Sequence, residues 1–239
     1  MNKIHLDSVD STNSYLKKHY KELDNYTFVS ANYQTNGKGR NDRDWKSENG
    51  KNLLFSLLLL DKQLISHYKE LSIITAYSII KELEKLNIKD LSIKWPNDVY
   101  VKDKKICGIL LESVSVNDIE CLVIGVGLNV NQENFNGEYR IIPTSIIKEL
   151  NQFQDIEALK ENIYKTLINN IEAVKFNKDL YSEIKKYDYL MNKEIKYEIE
   201  NSYERAKVIG IQKDYSLLVD NGSKLINLFS GEVEHISTK

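Results

Sequence analysis

Apolar side chains recur along this chain at helical and at strand spacing, and the switches between the two divide it into elements. Leu71, Ile74, Ser78, Ile79 and Leu83 share one face of a helix between Tyr68 and Leu86. Ile156, Leu159, Ile163, Leu167, Ile171 and Val174 predict another from Asp155 to about Phe176. Ser11 suits the N-cap of a helix carrying Tyr15 and Leu16, and Leu180 to Tyr187 reads as a further helical segment. Between these lie strand-like runs at Thr27–Ala31, Leu53–Leu60, Leu91–Trp95, Val99–Lys102, Lys105–Val116 and Ile119–Asn129. Short turns at Asp103-Lys104 and Asn117-Asp118 make the later strands antiparallel hairpin neighbours. Residues 32–52 form a long polar loop, and loops of that length in compact domains are commonly functional. Asn131 to Pro143 is polar and irregular.

Near Met191 the pattern shortens. Glu194–Glu200, Arg205–Gln212, Ser216–Val219 and Lys224–Leu228 are β-rich and separated by turns at Asn201-Ser202, Lys213-Asp214 and Asn221-Gly222, as in a small barrel. The expected fold class is therefore α+β. A mixed, largely antiparallel central sheet with flanking helices would occupy residues 1–188, and a small β-barrel residues 189–239.

Composition narrows the partners. The 239 residues suffice for one substantial core. With 33 basic and 35 acidic residues the net charge is −2, which favours neither nucleic acid nor an anionic membrane. No apolar run approaches the ~20 residues of a membrane span, and the N-terminus lacks a secretory apolar core. Two unspaced cysteines, Cys107 and Cys121, suggest inert core thiols in a reducing compartment, and the four histidines lack ligand spacing. These features describe a cytoplasmic protein.

Two clusters carry chemistry. In Gly37-Lys38-Gly39-Arg40, glycines let backbone amides approach an anion and the cations offset its charge. Arg43 and Trp45 follow in the same loop; the indole suits stacking on a base, shielding a site from water, or anchoring the loop. In Lys94-Trp95-Pro96-Asn97-Asp98 the proline interrupts the ladder, so Asn97 and Asp98 project at a strand end. Asp98 fits a metal ligand, a proton acceptor or a structural Asx turn. The following hairpin returns Lys105 toward it, where an amine can stabilise developing negative charge or simply face solvent. Gly108 permits close approach of a ligand or of backbone. Gly125-Val-Gly127-Leu-Asn129 lacks the third glycine and following helix of a dinucleotide fingerprint.

These residues, with Ser11-Thr12-Asn13, the Gln34-to-Arg40 loop, Glu112, Asn129 and the C-terminal strands, resemble a biotin protein ligase (biotin–[acetyl-CoA-carboxylase] ligase) over nearly the whole length. The resemblance implies a catalytic domain followed by a Src-homology-3-like barrel. It implies activation of biotin by ATP and Mg2+ as biotinyl-5′-AMP, then transfer to a lysine of a biotin carboxyl carrier protein. It places Ser11, Thr12, Asn13, Gln34, Gly37, Lys38, Gly39, Arg40, Lys105 and Gly108 at biotin. It places Lys38, Arg40, Arg43, Trp45, Lys94, Asn97 and Asn129 at the nucleotide, with the loop to Arg140 closing on the adenylate. Lys105, Asp98 and Arg40 are the implied catalytic groups, Asp98 facing the acceptor lysine. Lys38 stands where the family often has arginine, so the bidentate fork is lost and faster release of the adenylate is expected.

Only ten residues precede Ser11, so a monofunctional ligase without a DNA-binding domain or operator binding is expected, as monomer or homodimer, with no nucleic-acid or membrane partner. The rival readings are a lipoate or octanoate ligase or transferase of the same superfamily, and a non-catalytic biotin sensor. The donors at Ser11, Thr12 and Gln34 favour a polar head group over a bare acyl chain. The presence of both Asp98 and Lys105 favours catalysis over sensing.

Overall fold

The computed structural model describes residues 2–41, 43–199, 202–229, 231 and 233–236. A seven-stranded sheet organises the first part of the chain. Its strands are β1 (Lys3–Val9), β2 (Phe28–Gln34), β3 (Asn52–Leu59), β4 (Leu91–Lys94), β5 (Asp98–Val101), β6 (Lys104–Ser115) and β7 (Ile119–Asn129). They lie in the order β1-β2-β3-β7-β6-β5-β4, with β1 and β2 parallel and the other neighbours antiparallel.

Period-two alternation gives the sheet two different faces. Leu53, Phe55, Leu57 and Leu59 on β3, and Leu122, Ile124, Val126 and Leu128 on β7, enter the main core. Helices α3 (Tyr68–Lys85) and α5 (Ile156–Lys175) contribute Leu71, Ile74, Leu83, Ile163, Leu167 and Ile171 to that same core. The Asp155 carboxylate caps α5, accepting from the amides of Glu157 (2.9 Å) and Ala158 (3.1 Å). On the opposite face, α1 (Thr12–His19) covers only one end of the sheet, where Leu16 meets Val29, Leu58, Cys121 and Val123. The rest of that face is open, and the candidate site lies there.

The short helices α2 (Lys62–Ser66), α4 (Ile146–Leu150) and α6 (Tyr181–Ile184) complete this part. Helices of four or five residues have too few turns to show a period, so α2 and α4 left no sequence signal. Strand β1 left none because it is a half-exposed edge strand whose polar residues do not read as a strand. It also carries β2 three residues past the expected end, since Ser8 and Val9 pair with Tyr33 and Gln34. The 32–52 segment is less irregular than expected. Gly39 N–H donates to Arg43 O, Trp45 N–H donates to Gly37 O, and Lys38 bridges Asp44, a narrow ladder that fixes the glycine-rich turn. Ser11 stands at the N-cap of α1 with extended backbone, but its hydroxyl makes no capping bond.

A second sheet is formed by β8 (Glu194–Ile199), β9 (Ser202–Ile211), β10 (Leu217–Asp220), β11 (Leu225–Leu228) and β12 (Val233–His235), in the order β11-β10-β9-β8-β12. It makes a small barrel-like unit on an α+β domain. The expected strand end at Glu200 and turn at Asn201 lie outside the described residues. Ile195, Tyr197, Val208 and Leu217 belong to the same buried cluster as the first sheet. Trp95, 1% exposed, donates its indole N–H to Tyr215 O at 3.0 Å and joins the two. At the β4 edge, Tyr189 N–H donates to Ile93 O.

Asp155→Ala removes the acceptor of two otherwise unpaired helix amides and is expected to lower stability by about 1 kcal/mol. Urea unfolding would show this as a lower midpoint at unchanged slope.

Candidate active site

The open face becomes a trough because three strand positions have no side chain. Gly108 on β6 and Gly127 on β7 are directly opposed, and Gly125 faces Leu110. A β-carbon at Gly127 would lie 2.4 Å from Trp45 Cε2, and one at Gly108 would lie 2.9 Å from Trp45 Cζ3. The indole therefore rests directly on backbone. A β-carbon at Gly125 would lie 2.2 Å from Asn13 Oδ1. Gly125, Gly127 and Asn129 point to one face of β7, so Trp45 divides the trough into an Asn13 end and an Asn129 end. The cleft measures about 240 Å³.

At the Asn13 end the side chains that line the cleft are neutral and mutually bonded, with a charged pair behind them. Gln34 Oε1 accepts from Thr12 N–H (2.8 Å) and lies 3.0 Å from Thr12 Oγ1. Ser56 Oγ lies 2.6 Å from Thr12 Oγ1 and donates to Asn13 Oδ1 at 2.5 Å. Asn13 Nδ2 donates to Glu112 Oε2 (2.8 Å), and the other Glu112 oxygen pairs with Lys17. Burial raises the Glu112 pKa, but the hydrogen bonds from Lys17 and Asn13 outweigh it and hold the carboxyl below its ordinary value. Its contribution to stability is accordingly present above the ordinary glutamate range and lost as pH falls through the lowered pKa.

The middle of the trough is charged. Lys105 Nζ is 2.7 Å from Asp98 Oδ1 and 5.5 Å from the centroid of the Trp45 ring. Asp98 is opposite Gly108 in the ladder, so the short β4–β5 turn, with its cis Trp95–Pro96 bond, delivers the carboxylate to the glycine floor. Arg40 donates to Asn97 Oδ1 (3.2 Å) and to Gly231 O (3.0 Å), and Lys94 donates to Val233 O (3.1 Å). The C-terminal strand thus borders the site. Arg140 pairs with Glu234 across the mouth.

At the far end Asn129 Nδ2 donates to Thr144 O (2.9 Å), while Asn129 Oδ1 is buried with no hydrogen-bond partner, as is Trp45 Nε1. The segment from Asn131 is pinned here: Lys105 N–H donates to Ile142 O, and Thr144 N–H donates to Lys105 O. Cys107 and Cys121 are both free and buried, and burial raises both thiols, so neither is poised as a nucleophile.

Of the residues singled out in the sequence, Ser11, Thr12, Asn13, Gln34, Lys38, Gly39, Arg40, Arg43, Trp45, Lys94, Asn97, Asp98, Lys105, Gly108 and Asn129 line this one cleft. Gly37 does not line it. It sits behind the loop, where a β-carbon would meet Trp45 O at 2.6 Å. Sequence reasoning weighed Gly125 and Gly127 only against a dinucleotide fingerprint and gave them no place in the site, although two glycines at strand alternation mark a floor where something approaches closely. It also missed Ser56, whose hydroxyl within a leucine run was the available signal, and Gly231 and Val233.

Gly127→Ala is expected to lift the indole from its seat. Trp45 emission should shift to longer wavelength, Trp95 should remain buried, and the shift should vanish in the Trp45→Phe background. An unmoved spectrum would contradict the packing described.

The sequence profile of the Biotin/lipoate A/B protein ligase family matches residues 6–129, just over half of the chain. A 123-residue stretch is 35% identical to the Bifunctional ligase/repressor BirA of Bacillus subtilis, covering 50% of this chain and 38% of that protein. A 128-residue stretch is 33% identical to the Biotin–[acetyl-CoA-carboxylase] ligase of Paracoccus denitrificans, covering 52% of this chain and 53% of that protein. The match therefore spans only part of each relative's length. The solved Biotin protein ligase from Aquifex aeolicus in complex with biotin and ATP superposes with a TM-score of 0.88 at 28% identity, over 99% of both chains. The chain belongs to the Biotin/lipoate A/B protein ligase family.

Proposed function

We propose that this protein activates biotin with ATP as biotinyl-5′-AMP and transfers the biotinyl group to a lysine of a biotin carboxyl carrier protein. The observation that carries this reading is a cationic centre between two neutral ends. Among the described residues, Lys38, Arg40, Arg43, Lys46, Lys94, Lys105 and Arg140 line the cleft against Asp44 and Asp98, in a chain of net charge −2. Joining a carboxylate to a triphosphate requires two anions to meet, and such a centre offsets their repulsion and the charge that develops at phosphorus. The Aquifex aeolicus structure with biotin and ATP supports the same pairing of ligands.

In the first step a biotin carboxylate oxygen attacks the α-phosphorus and pyrophosphate leaves. Lys105 is placed to stabilise the reacting oxygens, Arg40 to hold the phosphates, and the Gly37–Gly39 turn to cover them. The unpartnered Asn129 Oδ1 can accept a hydrogen bond from the adenine amino group, which a guanine carbonyl could not supply. Trp45 packs between the two ligands and keeps water from the mixed anhydride. In the second step the carrier amine attacks the acyl carbon and AMP leaves, with Asp98 orienting the amine or taking its proton. Magnesium belongs to this reading as a companion of ATP. Among the described residues no group of three or more His, Cys, Asp or Glu could hold a metal, so phosphate oxygens would supply its ligands.

We place the boundary between catalytic and barrel domains at 188/189. No helix among the described residues is long and apolar enough to cross a membrane. An ATP-dependent reaction and two free cysteines favour the cytoplasm as its setting.

ATP–pyrophosphate exchange with biotin, lipoate and octanoate offered separately tests the reaction. Exchange should require biotin and fall by about two orders of magnitude or more in Lys105→Ala. Exchange driven by lipoate or octanoate would replace the substrate. Biotin binding without exchange would make the protein a sensor. Asn129→Ala is expected to raise the KM for ATP about tenfold and leave that for biotin unchanged, the loss of one buried hydrogen bond.

A further inference from the structure

Lys17, Ser56 and Glu112 have no part in the proposed reaction, yet they converge on one amide. Glu112 lies on the trough face of β6, opposite Val123 and two residues beyond Leu110. One of its oxygens takes the Lys17 ammonium, and the other accepts from Asn13 Nδ2 at 2.8 Å. Asn13 Nδ2 also reaches Leu110 O at 3.3 Å, and Asn13 Oδ1 accepts from the Ser56 hydroxyl at 2.5 Å. Asn13 is 3% exposed and lines the cleft.

A primary amide has donors only on nitrogen and acceptors only on oxygen. The Ser56 hydroxyl can donate or accept, so it would tolerate either orientation of Asn13. The ionised Glu112 carboxylate accepts only, and a turned amide would set oxygen against oxygen in a buried place. The Leu110 carbonyl also accepts only but is the longer contact at 3.3 Å, so Glu112 at 2.8 Å supplies the stronger, charged part of the orientation, and Lys17 keeps the carboxylate in position and ionised. Asn13 Oδ1, bonded once by Ser56, retains a second lone pair. A head group with an N–H can use it, whereas one without an N–H leaves it unsatisfied, at a cost in binding.

We propose that Glu112, anchored by Lys17, is a positioning residue that fixes the Asn13 amide and so makes this end of the cleft select an acid whose head group carries N–H donors. The inference rests on the biotin ligase reading and deepens it. No ligand contact is assigned to Glu112 itself.

The test is steady-state exchange by the full chain, with KM measured separately for biotin and ATP in wild type, Glu112→Ala, Glu112→Gln and Lys17→Ala. Glu112→Ala should raise the biotin KM about tenfold and leave the ATP KM and kcat within about twofold. Its preference for biotin over lipoate, which lacks ring N–H groups, should fall. Glu112→Gln, whose side-chain carbonyl still accepts from Asn13, should recover most of the loss, and Lys17→Ala should give a smaller rise in the biotin KM. Parallel changes in both KM values with a lowered melting temperature would mark a merely structural residue and overturn the proposal. An unchanged biotin KM in Glu112→Ala would do the same. Should Glu112→Ala fail to fold, the Glu112→Gln and Lys17→Ala comparison decides. Wild-type protein without biotin-dependent exchange would sink the ligase reading itself, a result distinct from exchange that ignores Glu112.

Discussion

The site depends on contact between an indole and bare strand backbone. Gly108 and Gly127 face each other on neighbouring strands, and Trp45 fills the space two β-carbons would need. Everything else is arranged around that seat. The narrow ladder between Gly37 and Trp45 positions the indole from the loop side, and Gly37 is itself required because a side chain there would strike the Trp45 carbonyl. The Lys105 ammonium lies over the ring, 5.5 Å from its centroid, and is held by Asp98. The open trough exists because α1 covers β7 only as far as Gly125, where Asn13 packs, and strand alternation then presents Gly127 and Asn129 in turn.

Much of this was legible in the sequence, for identifiable reasons. Ile119 to Asn129 was bounded correctly because its turn and its Gly-Leu-Asn terminus both carry strong local signals. The α5 helix was bounded within a residue because Asp155 is a recognisable cap and the apolar positions keep period throughout. Asp98 and Lys105 were paired by hairpin reasoning, and the 2.7 Å contact bears that out. What escaped was non-local. Strand β1 is defined by its parallel partner, and β12 has three residues, so neither can announce itself. The floor role of Gly125 and Gly127 requires knowing which face of β7 is uncovered, and that depends on where α1 packs. Ser56 looked like an interruption in a leucine run and is instead the polar step on which Thr12 and Asn13 rest.

Charge follows the same logic of placement. The chain is nearly neutral, so nothing in its composition announces an anion site. The cations are gathered by a loop, a turn and a strand start that are far apart in sequence, and the barrel closes the far wall through Gly231 and Val233. Neutral hydrogen-bonding groups line the ends of the cleft, and the Glu112 charge behind the Asn13 end is matched by Lys17.

The indole N–H of Trp95 ends on the carbonyl of Tyr215, and the apolar cluster runs without a break from one sheet to the other. The residue preceding the turn that carries Asn97 and Asp98 is therefore anchored in the barrel. Loosening the barrel loosens that turn, so slow amide hydrogen exchange in β10 and in the β4–β5 turn should belong to one cooperative unit. The barrel is therefore part of the support of the turn that carries Asn97 and Asp98, and its loss would leave the Trp95 ring facing water beside the cationic cleft.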